Sequence, residues 1–100
     1  MRIFLFLWFV AVASVAPLAQ AQDDAVARSL AATCAGCHGT DGRSATREVM
    51  PLAGLSKDYI TAQMKAFKDG SRPATIMHQL AKGYTDPQIE SLAAYFAARK

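Results

Sequence analysis

The pattern of apolar and polar positions divides the chain into an apolar leader and a series of short amphipathic segments. Residues 1–21 begin with a basic residue, continue as an uncharged apolar run and end in Ala19-Gln20-Ala21. This layout is typical of a secretory signal peptide with small residues at its cleavage site. The apolar run is also too short to span a membrane comfortably. We therefore predict cleavage after Ala21, which leaves a periplasmic domain of residues 22–100 with no membrane span.

After the leader, the pattern predicts helices joined by glycine-rich loops and shows no strand-like alternation. A first helix is expected to begin at the acidic pair Asp23 and Asp24, because negative charge is favourable at a helix N-terminus. It would run directly into Cys34. A second helix is expected to be capped by Ser56 and stopped by Gly70.

Two further helical segments complete the domain. The stretch ATIMHQLAK predicts a short helix that ends at Gly83. Thr85 and Gln88 then match the capping box that opens a final helix. Apolar residues recur in that helix at the spacing i, i+3, i+4 and i+7, namely Ile89, Leu92, Ala93 and Phe96. Four short helices predict a small all-α domain.

Composition changes the picture in two ways. The chain has 11 basic and 8 acidic residues, for a net charge of +3, and only Arg2 of these lies in the leader. The exported domain is therefore only weakly basic, and we expect no nucleic-acid partner. A domain this short also buries a marginal core, so a disulfide, a metal or a cofactor is expected to help hold it.

The sequence CAGCH, residues 34–38, contains both cysteines of the chain and one of its two histidines. A disulfide between residues three apart would constrain little of the unfolded chain. A thioredoxin-like dithiol would follow a strand, and none is predicted before Cys34. A zinc site would need His78 as its fourth ligand, while the adjacent Cys37 and His38 give the chain little room to wrap the metal.

A fourth interpretation, the attachment signal of a c-type haem, uses every residue of the motif. Cys34 and Cys37 would lie on one side of a helical turn and form thioethers with one edge of the porphyrin. His38 would then offer its Nε2 to the iron. The bound haem would also supply the apolar core that so short a chain lacks. We therefore predict one covalently bound haem c.

The residue that occupies the sixth coordination position of the iron would decide the function. A strong ligand there leaves electron transfer, whereas an open position allows binding of an external molecule or reaction with peroxide. Met50 follows His38 too closely to build the far wall of a haem pocket. Met64 falls on the apolar face of a predicted helix, where methionine usually packs. Met77 and His78 both lie far enough along the chain to reach the other face of the ring. Spacing alone therefore leaves these two residues open.

From about Ala25 onwards, the chain resembles the class I c-type cytochromes. The segments CAGCHGTDGRS, MPLAGLSKDYITAQMKAFKDGSRP and TIMHQLAKGYTDPQIESLAAYF are similar to the haem domains of bacterial two-haem cytochromes c and of the cytochrome subunit of flavocytochrome c sulfide dehydrogenase. The last segment is most similar to the sulfide dehydrogenase cytochrome. The resemblance implies a small class I fold, with about four helices around one haem. This chain departs from that subunit in having one haem motif rather than two.

The resemblance also implies a role for each matching residue. Cys34 and Cys37 match the thioether positions, and His38 matches the proximal iron ligand. Met77 matches the distal ligand. Pro51 matches the proline whose carbonyl accepts a hydrogen bond from the Nδ1–H of the proximal histidine, which fixes the imidazole and strengthens its donation to iron.

The function implied by the resemblance is electron transfer rather than catalysis. We expect a cytochrome partner that takes electrons from a flavin-containing, sulfide-oxidising subunit and passes them to a downstream cytochrome or oxidase. The alternative is a freely diffusing monohaem carrier that serves an oxidase or another dehydrogenase. A haem peroxidase is a third possibility, but no distal Arg or His is placed by a motif.

Overall fold

A computed structural model describes residues 16–100, with side chains from residue 23 onwards. It contains five α-helices and one short 3-10 helix, and no strand occurs in residues 16–100. In chain order these are α1 (Ala16–Ala32), α2 (Ala35–His38), the 3-10 helix (Thr40–Gly42), α3 (Lys57–Asp69), α4 (Met77–Ala81) and α5 (Asp86–Ala97). The all-α prediction is confirmed, with one more helix than the four predicted. Residues 1–15 of the predicted signal peptide lie outside the described residues.

The first helix differs from the prediction at both of its ends. It begins at Ala16, so the acidic pair at 23–24 lies inside the helix rather than in its first turn. It ends at Ala32, and the next two residues form a turn before α2. The Thr33 hydroxyl donates to a carbonyl of the last turn of α1. Such a side-chain bond competes with continued helix, and Cys34 therefore lies outside α1.

The predicted ends of α3 and the predicted start of α5 are confirmed. The Ser56 hydroxyl accepts a hydrogen bond from the backbone N–H of Tyr59, and Gly70 ends α3 in the left-handed conformation with φ 85°. Thr85 and Gln88 form both hydrogen bonds of a capping box at the start of α5. These signals are local, since each cap satisfies helix-end groups that have no partner inside the helix.

The core forms where α5 packs against α1 on one side and α3 on the other, while α4 packs against α3. The Tyr95 and Phe96 rings of α5 meet edge to face, with 5.4 Å between their centroids. The buried residues of this cluster are Ala27, Ala31, Ile60, Leu92, Ala93, Tyr95 and Phe96. α5 is therefore the central support of the domain.

The long loop before α3 is fastened to the 3-10 helix and to α5. The Gly42 carbonyl accepts hydrogen bonds from the backbone N–H groups of Leu52 at 2.8 Å and Ala53 at 3.1 Å, and Gly54 N donates to the Phe96 carbonyl at 2.9 Å. Gly42 has φ +75°, and a Cβ at this position would meet the Phe96 ring at 2.9 Å. Only glycine fits there without strain.

Candidate functional site

The two cysteines of the motif lie on a single helical turn. The His38 N–H donates to the Cys34 carbonyl at 2.9 Å, and the Cys37 N–H approaches the same carbonyl at 3.3 Å. Cys34 is half-buried, Cys37 is exposed, and both thiols are free. Burial raises the pKa of the Cys34 thiol, and a hydrogen bond with the Thr33 hydroxyl partly opposes that effect. The turn thus presents two thiols and one imidazole within five residues.

The His38 ring is held by one hydrogen bond to the backbone. Its Nδ1 lies 2.7 Å from the carbonyl oxygen of Met50. A carbonyl oxygen can only accept, so Nδ1 carries the proton and donates it. The lone pair of the neutral imidazole is then on Nε2, the nitrogen available to a metal. The bond therefore selects the tautomer and limits rotation of the ring.

The predicted acceptor of this bond, the carbonyl of Pro51, is wrong by one residue. The acceptor is the carbonyl of Met50, which forms the peptide bond with Pro51. Proline restricts the residue before it to extended conformations, which contributes to the direction of the Met50 carbonyl. The N–H groups of the next two residues, Leu52 and Ala53, are bound to the 3-10 helix. Pro51 is therefore bonded to the residue that holds His38 and does not itself accept the hydrogen bond.

The 3-10 helix that follows His38 is attached to α5 through a side-chain hydrogen bond that the sequence analysis missed. The Tyr95 hydroxyl donates to Asp41 Oδ1 at 2.5 Å. This bond lowers the pKa of Asp41, with smaller contributions from the charges of Arg99 and Arg43. The same contact raises the pKa of Tyr95. Asp41 has φ 54°, a left-handed conformation that Asp tolerates better than most residues.

The candidates for the sixth ligand lie elsewhere in the fold. Met77 is the first residue of α4 and is half-buried. His78 is also half-buried, and its Nδ1 has no hydrogen-bond partner within residues 23–100. Met64 packs against the hydrophobic core, as predicted for a packing residue. Met50 is 40% exposed and contributes to the site through its carbonyl. The structure thus groups Cys34, Cys37 and His38 on one element and places Met77 on another.

The alternative interpretations of the motif find less support. A helix rather than a strand precedes Cys34, which is unlike the thioredoxin arrangement. The two thiols are not bonded to each other. Over the part of the chain that the structure describes, no three His, Cys, Asp or Glu side chains are grouped as ligands for a metal ion.

The residues around the motif fit a covalently attached haem. Ile76 at 55% and Leu80 at 46% are large, exposed apolar side chains close to Met77 in the sequence, and Met50, whose carbonyl binds His38, is 40% exposed. Such exposure is typical of surface that a partner or an apolar ligand covers. The two thiols, the Nε2 of His38 and this apolar surface together define a small all-helical domain that holds a metalloporphyrin.

The chain belongs to the cytochrome c family, whose model matches residues 24–99. It is 48% identical over 68 residues to the cytochrome subunit of sulfide dehydrogenase from Chlorobaculum tepidum, covering 67% of this chain and 60% of that protein. It is 40% identical over 84 residues to cytochrome c4 from Pseudomonas aeruginosa, covering 83% of this chain and 42% of the relative. It is 35% identical over 83 residues to cytochrome c-554(548) from Halomonas halodenitrificans, covering 80% of this chain and all of the relative.

A solved structure supports the same conclusion. The thiosulfate dehydrogenase TsdBA from Marichromatium purpuratum aligns with a TM-score of 0.72 at 33% identity, over 77% of this chain and 19% of that one. The chain thus spans less than two thirds of several of its relatives. Family membership confirms the predicted haem c, which cytochromes of this family carry covalently, and confirms electron transfer as the general function. None of the described helices is both long and apolar enough to cross a membrane.

Proposed function

We propose that this protein is a periplasmic electron carrier in which His38 and Met77 are the axial ligands of the haem iron. We further propose that its electron donor is a flavin-containing sulfide dehydrogenase subunit. The observation that carries the proposal is the 2.7 Å hydrogen bond between His38 Nδ1 and the Met50 carbonyl. It places the proton of the neutral imidazole on Nδ1 and so directs the Nε2 lone pair away from the Met50 carbonyl, next in sequence to two free thiols, as a c-type attachment turn requires.

Each residue of the site has a defined part in electron transfer. The haem, when bound, supplies a one-electron iron couple. Cys34 and Cys37 would hold the haem covalently, and His38 would offer its Nε2 to the iron. Met77 would offer a thioether, a ligand that raises the reduction potential relative to a second histidine. A site with both axial positions filled has no open coordination position for a substrate.

The assignment of Met77 is supported by its match to the distal ligand position of related cytochromes and by its place at the start of α4. Met77→Ala is expected to remove the absorption band typical of a ferric thioether–haem bond, lower the potential and admit carbon monoxide. Met64→Ala and His78→Ala should keep the band. If the band is lost in His78→Ala or Met64→Ala and kept in Met77→Ala, the axial assignment is wrong.

Export to the periplasm is supported by the leader at residues 1–21. The family match begins at residue 24, shortly after the proposed cleavage site. Intact mass of the exported protein should correspond to residues 22–100 with one haem. A mass that includes residues 1–21 would instead indicate a retained membrane anchor.

The sulfide dehydrogenase partner is supported by the 48% identity to the Chlorobaculum tepidum subunit. A sulfide-oxidising flavin would release two electrons, and the single haem of this chain would accept them one at a time. Stopped-flow mixing of the purified cytochrome with sulfide should give slow reduction, because closed coordination leaves no iron site for a sulfur anion. Adding the flavoprotein subunit should make the reduction fast. Equal rates with and without that subunit would contradict the proposal.

A freely diffusing carrier is the second candidate function. It is favoured by the alignment with cytochrome c-554(548), which this chain covers over its full length. In that case the cytochrome should donate rapidly to an oxidase and form no stable complex with a flavoprotein. Co-purification separates the two candidates, since only the subunit role requires a lasting complex.

A further inference from the structure

A side-chain hydrogen bond joins two segments that are far apart in the sequence. The Tyr84 hydroxyl lies 2.7 Å from Thr33 Oγ1, across 51 residues of chain. Thr33 directly precedes Cys34, the first thiol of the attachment turn. Tyr84 follows α4, the helix that begins with Met77. The contact therefore connects the haem-attachment segment with the segment that carries the proposed distal ligand.

The direction of this hydrogen bond follows from the number of protons available. The Thr33 hydroxyl has one proton, and it is donated to the Leu30 carbonyl at 2.7 Å. Because that carbonyl can only accept, the Thr33 oxygen is left as an acceptor. The Tyr84 hydroxyl must then be the donor. Loss of the hydroxyl at either position would break the contact, whereas serine at position 33 would preserve it.

The Tyr84 end of the contact is continuous with α4. The backbone N–H of Gly83 donates to the Leu80 carbonyl at 3.1 Å, and that of Tyr84 donates to the Ala81 carbonyl at 3.2 Å. From α3, the Lys68 ammonium donates to the Tyr84 carbonyl at 2.7 Å. Residues 83–84 are therefore part of the same local structure as α4. Their position is fixed by hydrogen bonds from α3 and to the attachment segment.

We propose that the Thr33–Tyr84 hydrogen bond positions α4 relative to the attachment turn and thereby keeps Met77 on the iron. Tyr84 and Thr33 are positioning residues that touch neither the iron nor an electron partner. The proposal rests on the proposed His38–Met77 ligation. Without the contact, α4 would separate more often from the attachment segment, and the bond between Met77 and the iron would open more often.

The test measures how fast an external ligand replaces Met77 in the oxidised holoprotein. Tyr84→Phe and Thr33→Val should each speed the entry of imidazole about 2- to 12-fold, the change expected from losing one net hydrogen bond of about 0.5–1.5 kcal/mol. The double variant should be no faster than Thr33→Val alone, because the Thr33–Tyr84 bond is already lost in that variant. Thr33→Ser should restore the wild-type rate. Tyr59→Phe serves as the matched control, since Tyr59 is 40% exposed and its hydroxyl makes no hydrogen bond within residues 23–100.

The outcomes separate the proposal from a general effect on folding. Faster ligand entry in Tyr84→Phe and Thr33→Val, with rescue by Thr33→Ser, supports a positioning role. Wild-type entry rates in both variants, even with lower thermal stability, would overturn it. Met77→Ala in the same assay reports on the ligation itself. If its spectrum equals that of the wild type, His38–Met77 ligation fails, and the positioning role fails with it.

Discussion

The two sides of the proposed haem site are held in different ways. On the proximal side, His38 is hydrogen-bonded to Met50, and the intervening 3-10 helix is attached to α5 through Asp41 and Tyr95. On the distal side, α4 is a helix of five residues with no side-chain cap. The neighbouring Ile76 and Leu80 are exposed. The side chain of the proximal ligand is thus oriented by its own hydrogen bond, whereas the proposed distal ligand begins a short uncapped helix that packs against α3.

This difference predicts that the proximal side is the more rigid of the two and that the distal side opens more readily. A preorganised imidazole needs no rearrangement when the iron changes its oxidation state. A methionine in the uncapped first turn of a five-residue helix lies at an element end, where local opening is expected first. The Thr33–Tyr84 contact is a direct link between the two sides. Variants that act on one side only can test whether the proximal side is the rigid one.

The largest expected effect comes from removing the covalent attachment on the proximal side. In the Cys34→Ser/Cys37→Ser double variant, no thioether can form, so haem should be lost from the polypeptide. Haem staining after denaturing electrophoresis would show this directly. Met77→Ala is the distal counterpart and should retain full staining, since its thioether bonds are intact. Staining that survives in the double variant would contradict covalent attachment through this motif.

A smaller effect, on protein stability, is expected from a substitution at Gly42, in the 3-10 helix that follows His38. Gly42→Ala should lower the free energy of unfolding by roughly 2–4 kcal/mol, through strain at positive φ and overpacking against the core. The new Cβ would lie 2.8 Å from Ala53 N and 2.9 Å from the Phe96 ring. Denaturant unfolding of the holoprotein measures the change.

The matched variant outside the proximal side is Gly70→Ala, at the end of α3. Gly70 also has positive φ, but a Cβ there meets no atom within 4 Å. Gly70→Ala should therefore lower the free energy of unfolding by only about 1–2 kcal/mol, the energy needed to hold alanine at positive φ. If the two variants are equally destabilised, the close packing around Gly42 contributes nothing, and the contrast between the two sides is weaker than proposed.

The smallest effect is expected on the melting temperature, from loss of the Asp41–Tyr95 hydrogen bond, and it should depend on pH. The Tyr95 hydroxyl lowers the pKa of Asp41 in the folded protein. A lowered pKa stabilises the fold above the ordinary carboxyl pKa of about 3.9, and this contribution disappears as the pH falls through the lowered value. Asp41→Asn, which tolerates the same backbone conformation, should therefore reduce the melting temperature at neutral pH and make no difference in strong acid. Thermal melts from pH 7 to pH 2 measure this convergence.

Asp69→Asn, at the end of α3, is the comparison outside the proximal side for the acid experiment. The pKa of Asp69 is also lowered, by hydrogen bonds from Ser71, two residues away. A local bond of this kind can form in the unfolded chain as well, so its loss should affect stability less than loss of the Asp41 contact. A larger effect from Asp69→Asn would show that the bond between Asp41 and Tyr95 does not support the fold.

The helices could be predicted where their signals are local. Ser56, Gly70, Thr85 and Gln88 lie at helix ends, where side-chain and backbone groups of neighbouring residues satisfy one another. The break between α1 and α2 was missed, because apolar spacing continues up to Cys34. The turn there is stabilised by the Thr33 hydroxyl, whose contact to Tyr84 is invisible in a sequence pattern.

The same distinction applies to the site. The attachment turn could be predicted from the sequence, because Cys34, Cys37 and His38 lie within five residues and need only one helical turn to share a side. The carbonyl that meets the imidazole could not be predicted in this way, because it depends on the tertiary structure. Met50 rather than Pro51 accepts that bond because Leu52 and Ala53 are fastened to Gly42, which itself rests on Phe96 of α5. Contacts across such sequence distances depend on how whole elements pack, and packing has no local sequence signal.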